Sequence, residues 1–312
     1  MHVIDHFDAE RIRAAHDSGE FFWLDLEAPT EAQIDELAAL FDLPPLAVED
    51  SHEFNQRAKI DDYDDRLLIV FYGAVGTLDP DALIEVHMHL TRGRVVTVHR
   101  KRCPPLEPLK ALHLHSDHEI VYRILDALSE SVLTLLRGVE HEVSGLEQRA
   151  FEAPSAADRR RITELRGRLF RVMQVILPQR DMLAAGDDAI ERVLGMGPGQ
   201  AHHPFQDVRD DVVLAVNLIA YCRELLAEAL NVHLQATSNR LNEVATRLTV
   251  LASIFVPLTL ITGFFGQNFG WLVDHIDSLG SFLVFGIGGV VVPGVAIWLW
   301  LKRAGYLNRN GQ

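Results

Sequence analysis

Oxygen-bearing and small side chains recur at Asn242, Thr249, Ala252, Thr259 and Gly263, each three to seven residues from the last. Steps of that size return to one face of an α-helix. No residue from Leu248 to Val273 carries a charge, and about 20 apolar residues suffice to cross a bilayer core as a helix. A helix that faces only lipid has no use for a stripe of amide and hydroxyl groups. A helix that touches water and ions does. The expectation from this stripe is a membrane protein whose first span lines a pore.

Other residue groups offer different chemistry. Alternation along ALIEVHMHLT (82–91) puts Ile84, Val86, Met88 and Leu90 on one strand face and Glu85, His87 and His89 on the other. The second face is read as a polar sheet face covered by helices, with metal binding as the alternative. His202 and His203 are read as an exposed loop pair, with cation coordination as the alternative, and Arg159, Arg160 and Arg161 as a solvated basic face, with membrane or partner contact as the alternative. Cys103 and Cys222 stand alone without metal-ligand spacing, so both are expected in the core of a protein kept reduced. Net charge is −15 over 312 residues. That excess argues against nucleic acid, which needs clustered Lys and Arg, and favours cations as partners.

The elements that must position the stripe follow from the chain's breaks. Residues 1–116 read as an α/β domain. FFWLDLEAP (21–29) and RLLIVFYG (66–73) are strands, 82–91 and 95–99 form a hairpin, Thr30 with Gln33 caps a helix through Phe41, and LPPLAVEDSHE starts another. Residues 117–203 read as a helical hairpin broken at Ala153-Pro154-Ser155, followed by a glycine-rich link. From 204 to 247 nothing breaks a stalk helix, which runs on into a first transmembrane helix at 248–268 despite Pro257. An outer loop at 269–278, a second transmembrane helix at 279–301 and a basic tail at 302–312 complete the chain. A helix of about 60 residues, roughly 90 Å at 1.5 Å per residue, needs lateral partners, so a homo-oligomer bundled around an axis is expected. Lys302, Arg303 and Arg309 follow the second span, while the outer loop has acidic residues and no Lys or Arg, so both termini are expected in the cytoplasm. The opening MHVIDHFDAE has no basic-then-apolar leader, so no cleaved export sequence is expected.

GFFGQNFG (263–270) carries a family resemblance. Gly266-Gln267-Asn268, at the end of the first of two C-terminal spans, resembles the Gly-Met-Asn signature of the CorA family of divalent-cation channels. LPPLAVEDSHEFNQRAKIDDYDD (43–65) is similar to that family's N-terminal segment. Asn242-Glu243-Val244, Val256-Pro257-Leu258-Thr259 and Gly263 match its pore helix at unbroken spacing to Asn268. The fold implied is an α+β membrane protein: a cytoplasmic α/β/α domain, a helical hairpin and long stalk helix, and two C-terminal transmembrane helices, assembled as a homopentamer in the cell membrane.

The resemblance also implies roles. Asn268 would form a ring of amide oxygens at the outer mouth, suited to Mg²⁺, which sheds water reluctantly and prefers oxygen ligands. Gly266 would let the helix end in a conformation other residues resist. Asn242 and Thr259 would add oxygen rings, Leu248 and Val256 apolar constrictions, and Ala252 and Gly263 the remaining wall. Asp274 and Asp277 would concentrate cations at the entrance. Asp207, beside Asp210 and Asp211, would bind a regulatory Mg²⁺ between subunits, with Asp79 or Asp81 as partner carboxylate. The function implied is potential-driven Mg²⁺ and Co²⁺ uptake, closed by intracellular Mg²⁺, with no organic cofactor and no enzymatic activity. Gln267 replaces the family's usual Met, and Val256 stands where Met is common. A Zn²⁺ or Ni²⁺ transporter of ZntB type is therefore the alternative within the superfamily. A membrane-anchored sensor or enzyme is the alternative outside it.

Overall fold

The computed structural model describes residues 2–79, 82–112, 116–152, 155–197, 199, 202–267, 270–275 and 278–303. The chain divides into two units, Met1–Val232 and His233–Gln312. In the first, β1 (His2–Ile4), α1 (Ala9–Ser18), β2 (Phe22–Glu27), α2 (Glu31–Phe41) and α3 (Pro45–Glu53) precede β3 (Lys59–Asp62), β4 (Arg66–Ala74), β5 (Leu83–Thr91) and β6 (Arg94–His99). A 3₁₀ segment, Pro104–Ala111, leads to α4 (Asp117–Glu152), α5 (Ala156–Ala185) and α6 (Asp187–Leu194). Helix α7 (His202–Phe265) contributes to both units.

Local chemistry sets these boundaries. Thr30 and Gln33 form the expected capping box, with Thr30 N donating to Gln33 Oε1 at 2.8 Å and Gln33 N to Thr30 Oγ1 at 3.3 Å. Pro45 takes the first turn of α3, where its missing N–H costs nothing. Gly93, at φ +83°, turns β5 into β6. The sheet runs β1-β2-β6-β5-β4-β3, parallel across β1, β2 and β6 and antiparallel from β6 to β3. One face (Trp23, Ile69, Phe71, Val86, Met88) joins the core built with α4 and α5. The other buries Phe22, Leu24, Val96 and Val98 against Ile12 of α1 and Leu37 and Phe41 of α2. Leu68 and Val70 meet Ala47 of α3 on that same side. This is a three-layer α/β/α arrangement. Gly73 allows α4 to approach, since a Cβ there would stand 2.6 Å from Leu128 Cδ2.

Arg161 ties the α4–α5 hairpin together, its Nε lying 2.6 Å and its Nη2 3.0 Å from the Glu142 carboxylate. One of the three consecutive arginines is thus a cross-link rather than a solvated charge. Helix α6 was not anticipated. It buries Ile190, Val193 and Leu194 and stops at Gly195, φ +66°. Both cysteines are free and buried, as their isolation in the sequence suggested. A polar group is also enclosed beside β2: the Asp25 carboxylate, 2% exposed, accepts from Thr97 Oγ1 at 2.6 Å, His99 Nε2 at 3.1 Å and Lys110 Nζ at 2.8 Å.

In the second unit, α7 continues to Phe265, followed by α8 (Gly270–His275), α9 (Leu279–Ser281), a π-helical turn at Phe282–Ile287 and α10 (Gly288–Arg303). Two stretches are long and apolar enough to cross a membrane, Phe205–Phe264 and Leu279–Arg303, and the apolar window of neither is buried within the chain. The spans meet at Gly294, where a Cβ would stand in ordinary contact, 3.7 Å from Leu258 Cδ2. The loop expected between the spans is helical over α8. The second span is not one uniform α-helix, because the π turn occupies its start, where Gly286 accommodates the Phe282 ring at 3.2 Å from its would-be Cβ.

Candidate ion path

At about 100° per residue, Asn242, Leu248, Ala252, Val256, Thr259 and Gly263 occupy roughly one third of the circumference of α7. All six are exposed in the single chain; Leu248 is 62% and Val256 65% exposed. Exposed apolar residues on this scale require lipid or further copies of the chain around them. The hydroxyls are held in defined orientations. Thr259 Oγ1 donates to Phe255 O at 2.7 Å and Thr249 Oγ1 to Ala245 O at 2.9 Å. Each hydroxyl spends its one proton on its own helix, which leaves the oxygen lone pairs to face outward as acceptors. That is the orientation a cation or its water shell would use.

The end of the helix departs from expectation in one respect. Gly266 does not adopt a left-handed conformation; its N–H continues the helical pattern to Thr262 O at 2.8 Å, and Gln267 N follows to Phe264 O at 3.3 Å. Its lack of a side chain matters instead through crowding, because a Cβ would lie 3.1 Å from Thr262 O. Asn268 falls outside the described residues, as do Asp277 and Asp81. Asp274 is exposed on α8, one residue before His275, whose Nδ1 lies 2.9 Å from Trp271 O.

The acidic residues separate into two places. Asp207 and Asp211, four apart on α7, lie near Tyr122, Asp126 and Glu130 of α4. Asp210 is exposed beside them. Burial pushes the Asp126 carboxyl above the usual range; Arg123 opposes this, while the charges of Asp207 and Glu130 add to it. Asp79 belongs to other surroundings. Its carboxylate accepts from Thr77 Oγ1 at 2.9 Å and from Arg168 Nη1 at 2.6 Å, which together hold its pKa down. The single chain therefore does not join Asp79 to Asp207. Among the described residues, no group of three or more His, Cys, Asp or Glu side chains is placed to hold a metal ion. The carboxylates beside Asp207 fit Mg²⁺ by donor type, as hard oxygens, but further ligands would have to come from another copy. His202 and His203 open α7 rather than lying in a loop, and their side chains fall outside what the structure describes.

The Glu85, His87 and His89 face is a buried polar network, in line with the covered-face reading. Ser51 Oγ of α3 lies 2.9 Å from His89 Nε2 and 3.3 Å from His87 Nδ1, and His87 Nε2 is 2.7 Å from Glu85 Oε1. Burial, then the neighbouring His87, pushes His89 down to about 3, so its ring is neutral. Ser51, His87 and Glu85 resemble a nucleophile, a base and its orienting carboxylate. Ser51 and His87 are each 0% exposed, however, so no substrate reaches them, and the network pins α3 to the sheet.

Residues 18–303 match the family described as CorA-like Mg²⁺ transporter protein. The cobalt/magnesium transport protein CorA of Thermotoga maritima is 24% identical over 309 residues, covering 95% of this chain and 87% of that protein. The zinc transport protein ZntB of Klebsiella pneumoniae is 25% identical over 292 residues, covering 91% and 88%. Among solved structures, the complete CorA magnesium transporter of Methanocaldococcus jannaschii superposes with a TM-score of 0.78 at 18% identity, covering 91% of each chain.

Proposed function

The chain belongs to the family of CorA-like Mg²⁺ transporter proteins, a family of membrane transporters rather than enzymes, and from that premise we propose that it forms a homopentameric channel for Mg²⁺ and Co²⁺. The observation that carries this reading is the polar stripe of α7, exposed on a span whose apolar window is not buried among the described residues. Several copies placed around an axis give that stripe a water-filled path to face. In this arrangement Asn268 crowns the outer mouth, with Gly266 and Gln267 beneath it. Thr259 and Asn242 present further oxygens, Leu248 and Val256 narrow the path, and Ala252 and Gly263 keep it open. Neutral oxygens suit a hard cation that keeps much of its water. Asp274 and Asp277 concentrate cations at the entrance. The membrane potential supplies the work, about 2.3 kcal/mol per charge per 100 mV and twice that for a divalent ion. The protein sits in the cell membrane with both termini in the cytoplasm, as Lys302 and Arg303 at the end of α10 favour.

Regulation follows from the acidic group on α4 and α7. Intracellular Mg²⁺ bound at Asp207, Asp210 and Asp211, together with carboxylates of a neighbouring copy such as Asp79 or Asp81, neutralises their repulsion and holds the closed state. Asp126 gives a sign to test. Because its pKa is raised in the fold, its contribution to stability grows as pH falls from neutral through that raised value and is lost as pH rises. Removing a neighbouring charge acts in the same direction. Asp207→Asn is expected to melt up to about 3 °C higher than the parent in EDTA, the size of one weak surface charge interaction. Added Mg²⁺ is expected to raise its melting temperature less than the parent's. Thermal unfolding with and without Mg²⁺ checks both; an equal Mg²⁺ gain in the two proteins would remove Asp207 from the regulatory site.

A second reading, Zn²⁺ or Ni²⁺ transport, is favoured by the similarity to ZntB and by Gln267 at the filter. Uptake of Mg²⁺, Co²⁺, Zn²⁺ and Ni²⁺ into liposomes holding the purified protein, under an inside-negative potential, separates the two. Mg²⁺ and Co²⁺ are expected to enter fastest, because the matched positions offer oxygen rather than imidazole. Faster Zn²⁺ than Mg²⁺ entry would select the second reading, and entry of none would leave an anchored sensor.

A further inference from the structure

The first unit contains a cavity of about 500 Å³ between β4, β5, α5 and the segment that joins α3 to β3. Its volume is that of an ordinary small-molecule site. Its charge is out of keeping with the chain. Arg57, Arg100, Lys101, Arg168 and Arg171 all line it, against two carboxylates, Asp79 and Glu85, in a protein of net charge −15.

Both carboxylates are already engaged. Asp79 accepts from Arg168. Glu85 accepts from the backbone N–H groups of Asn55 at 2.7 Å and Gln56 at 2.8 Å. That clamp holds a costly backbone in place: Phe54 sits at φ +56°, ψ −168°, and Asn55 at φ +56°, regions that side-chain-bearing residues seldom occupy. Arg100 adds to it, donating to His52 O at 2.8 Å and lying 4.6 Å over the Phe54 ring. The wall of the cavity is therefore fixed in advance of any ligand.

What is left over is cationic. Among the described residues, Arg57 and Arg171 make no hydrogen bond or ion pair. One comes from the joining segment and the other from α5, so they approach the cavity from different elements. Guanidinium groups pair with phosphate oxygens in forked geometry, and a concave cationic surface concentrates anions. Inorganic phosphate would fill a small part of the space. Leu83, Val172, Val175 and Tyr72 supply an apolar wall beside the charges, as a ligand with both a phosphate chain and an apolar ring system requires.

We propose that this cavity binds a nucleoside polyphosphate, with Arg57 and Arg171 on the phosphates and the apolar wall against the base. A nucleoside triphosphate carries its greatest charge when it holds no Mg²⁺, so the metal-free form binds more tightly. The cavity lies in the soluble unit and its occupancy is read without transport, so the proposal stands or falls separately from the channel reading.

Isothermal titration of the full-length protein in detergent with ATP in EDTA is the test. Saturable binding is expected, weaker for inorganic phosphate and weaker with Mg²⁺ in excess over ATP. Arg57→Gln and Arg171→Gln should each weaken it at least about tenfold, the worth of one charge-assisted pair. Arg180→Gln, on the same helix but paired with Asp181, should leave it unchanged. Both cavity residues are exposed, so circular dichroism should show both variants folded. Absence of ATP binding by the parent would overturn the proposal, as would equal binding by all variants. Dissociation of the oligomer by the two cavity variants, without ATP binding by the parent, would assign these arginines to a contact between copies instead.

Discussion

Liposomes carrying Asn268→Ala are expected to take up Mg²⁺ at least about tenfold more slowly than those carrying the parent chain. The reasoning runs from the ion. A hydrated divalent cation entering a narrow mouth needs acceptors that replace bulk water without holding it, and amide oxygens do this where methyl groups cannot. A polar contact to a charged group contributes about 1.5–3 kcal/mol, and about 1.4 kcal/mol is a factor of ten. Loss of a ring of such groups therefore removes at least that factor. Asn268→Asp should fail differently: a ring of carboxylates binds the ion more tightly and releases it more slowly, so uptake slows while apparent affinity rises. Undiminished uptake by Asn268→Ala would take the filter away from this position.

Asp25→Ala is expected to cost the first unit about 3–5 kcal/mol, the usual consequence of leaving a buried charge without its partner. His99 shows why. Its Nδ1 faces Lys101 O at 2.6 Å and its Nε2 faces the Asp25 carboxylate. Both neighbours are acceptors, so both ring nitrogens carry protons and the ring is cationic. Burial would lower the His99 pKa, but the hydrogen bond and charge of Asp25 outweigh it and raise the value above 6.5. Burial would likewise raise Asp25, and His99, then Lys110 and Thr97, hold it below 3.8. The signs differ. The His99 contribution is complete below pH 6.5 and lost as pH rises through its raised pKa. The Asp25 contribution is present above 3.8 and lost as pH falls through its lowered one. Denaturant unfolding across pH should show an alkaline decline in the parent that Asp25→Ala lacks. A loss under about 1 kcal/mol would mean the charges find other partners.

Several parts of this molecule were legible in the sequence because they depend on neighbours in the chain. The capping box at Thr30 and Gln33, the alternation of β5, the break before Ser155 and the uncharged spans are all of that kind. The resemblance supplied the α/β/α layering. What escaped depends on contacts between distant residues. Helix α6 is short, and only its packing of Ile190 and Val193 distinguishes it from the link that follows. Arg161 looked like a solvated charge because Glu142 lies on another helix. Asp25, His99 and Lys110 are scattered over three elements, and no spacing announces their meeting. Gly266 reads in the sequence as ending the helix in a conformation other residues resist, whereas its φ is not positive and its N–H still reaches Thr262 O just past the end of α7. The cationic cavity combines the joining segment with α5, over a hundred residues apart in sequence.

The central claim is that the α7 stripe faces water in an assembly of several copies. Single-cysteine labelling tests it directly, since Cys103 and Cys222 are buried and burial pushes the Cys103 thiol up to about 12. Ala252→Cys, Val256→Cys and Thr259→Cys are each expected to react with a charged, membrane-impermeant thiol reagent and to lose Mg²⁺ uptake on reaction. Leu251→Cys and Ile254→Cys, on the other side of the helix, are expected to stay unmodified with uptake intact. Labelling of the second pair instead of the first, or uptake indifferent to labelling at the stripe, would contradict the account.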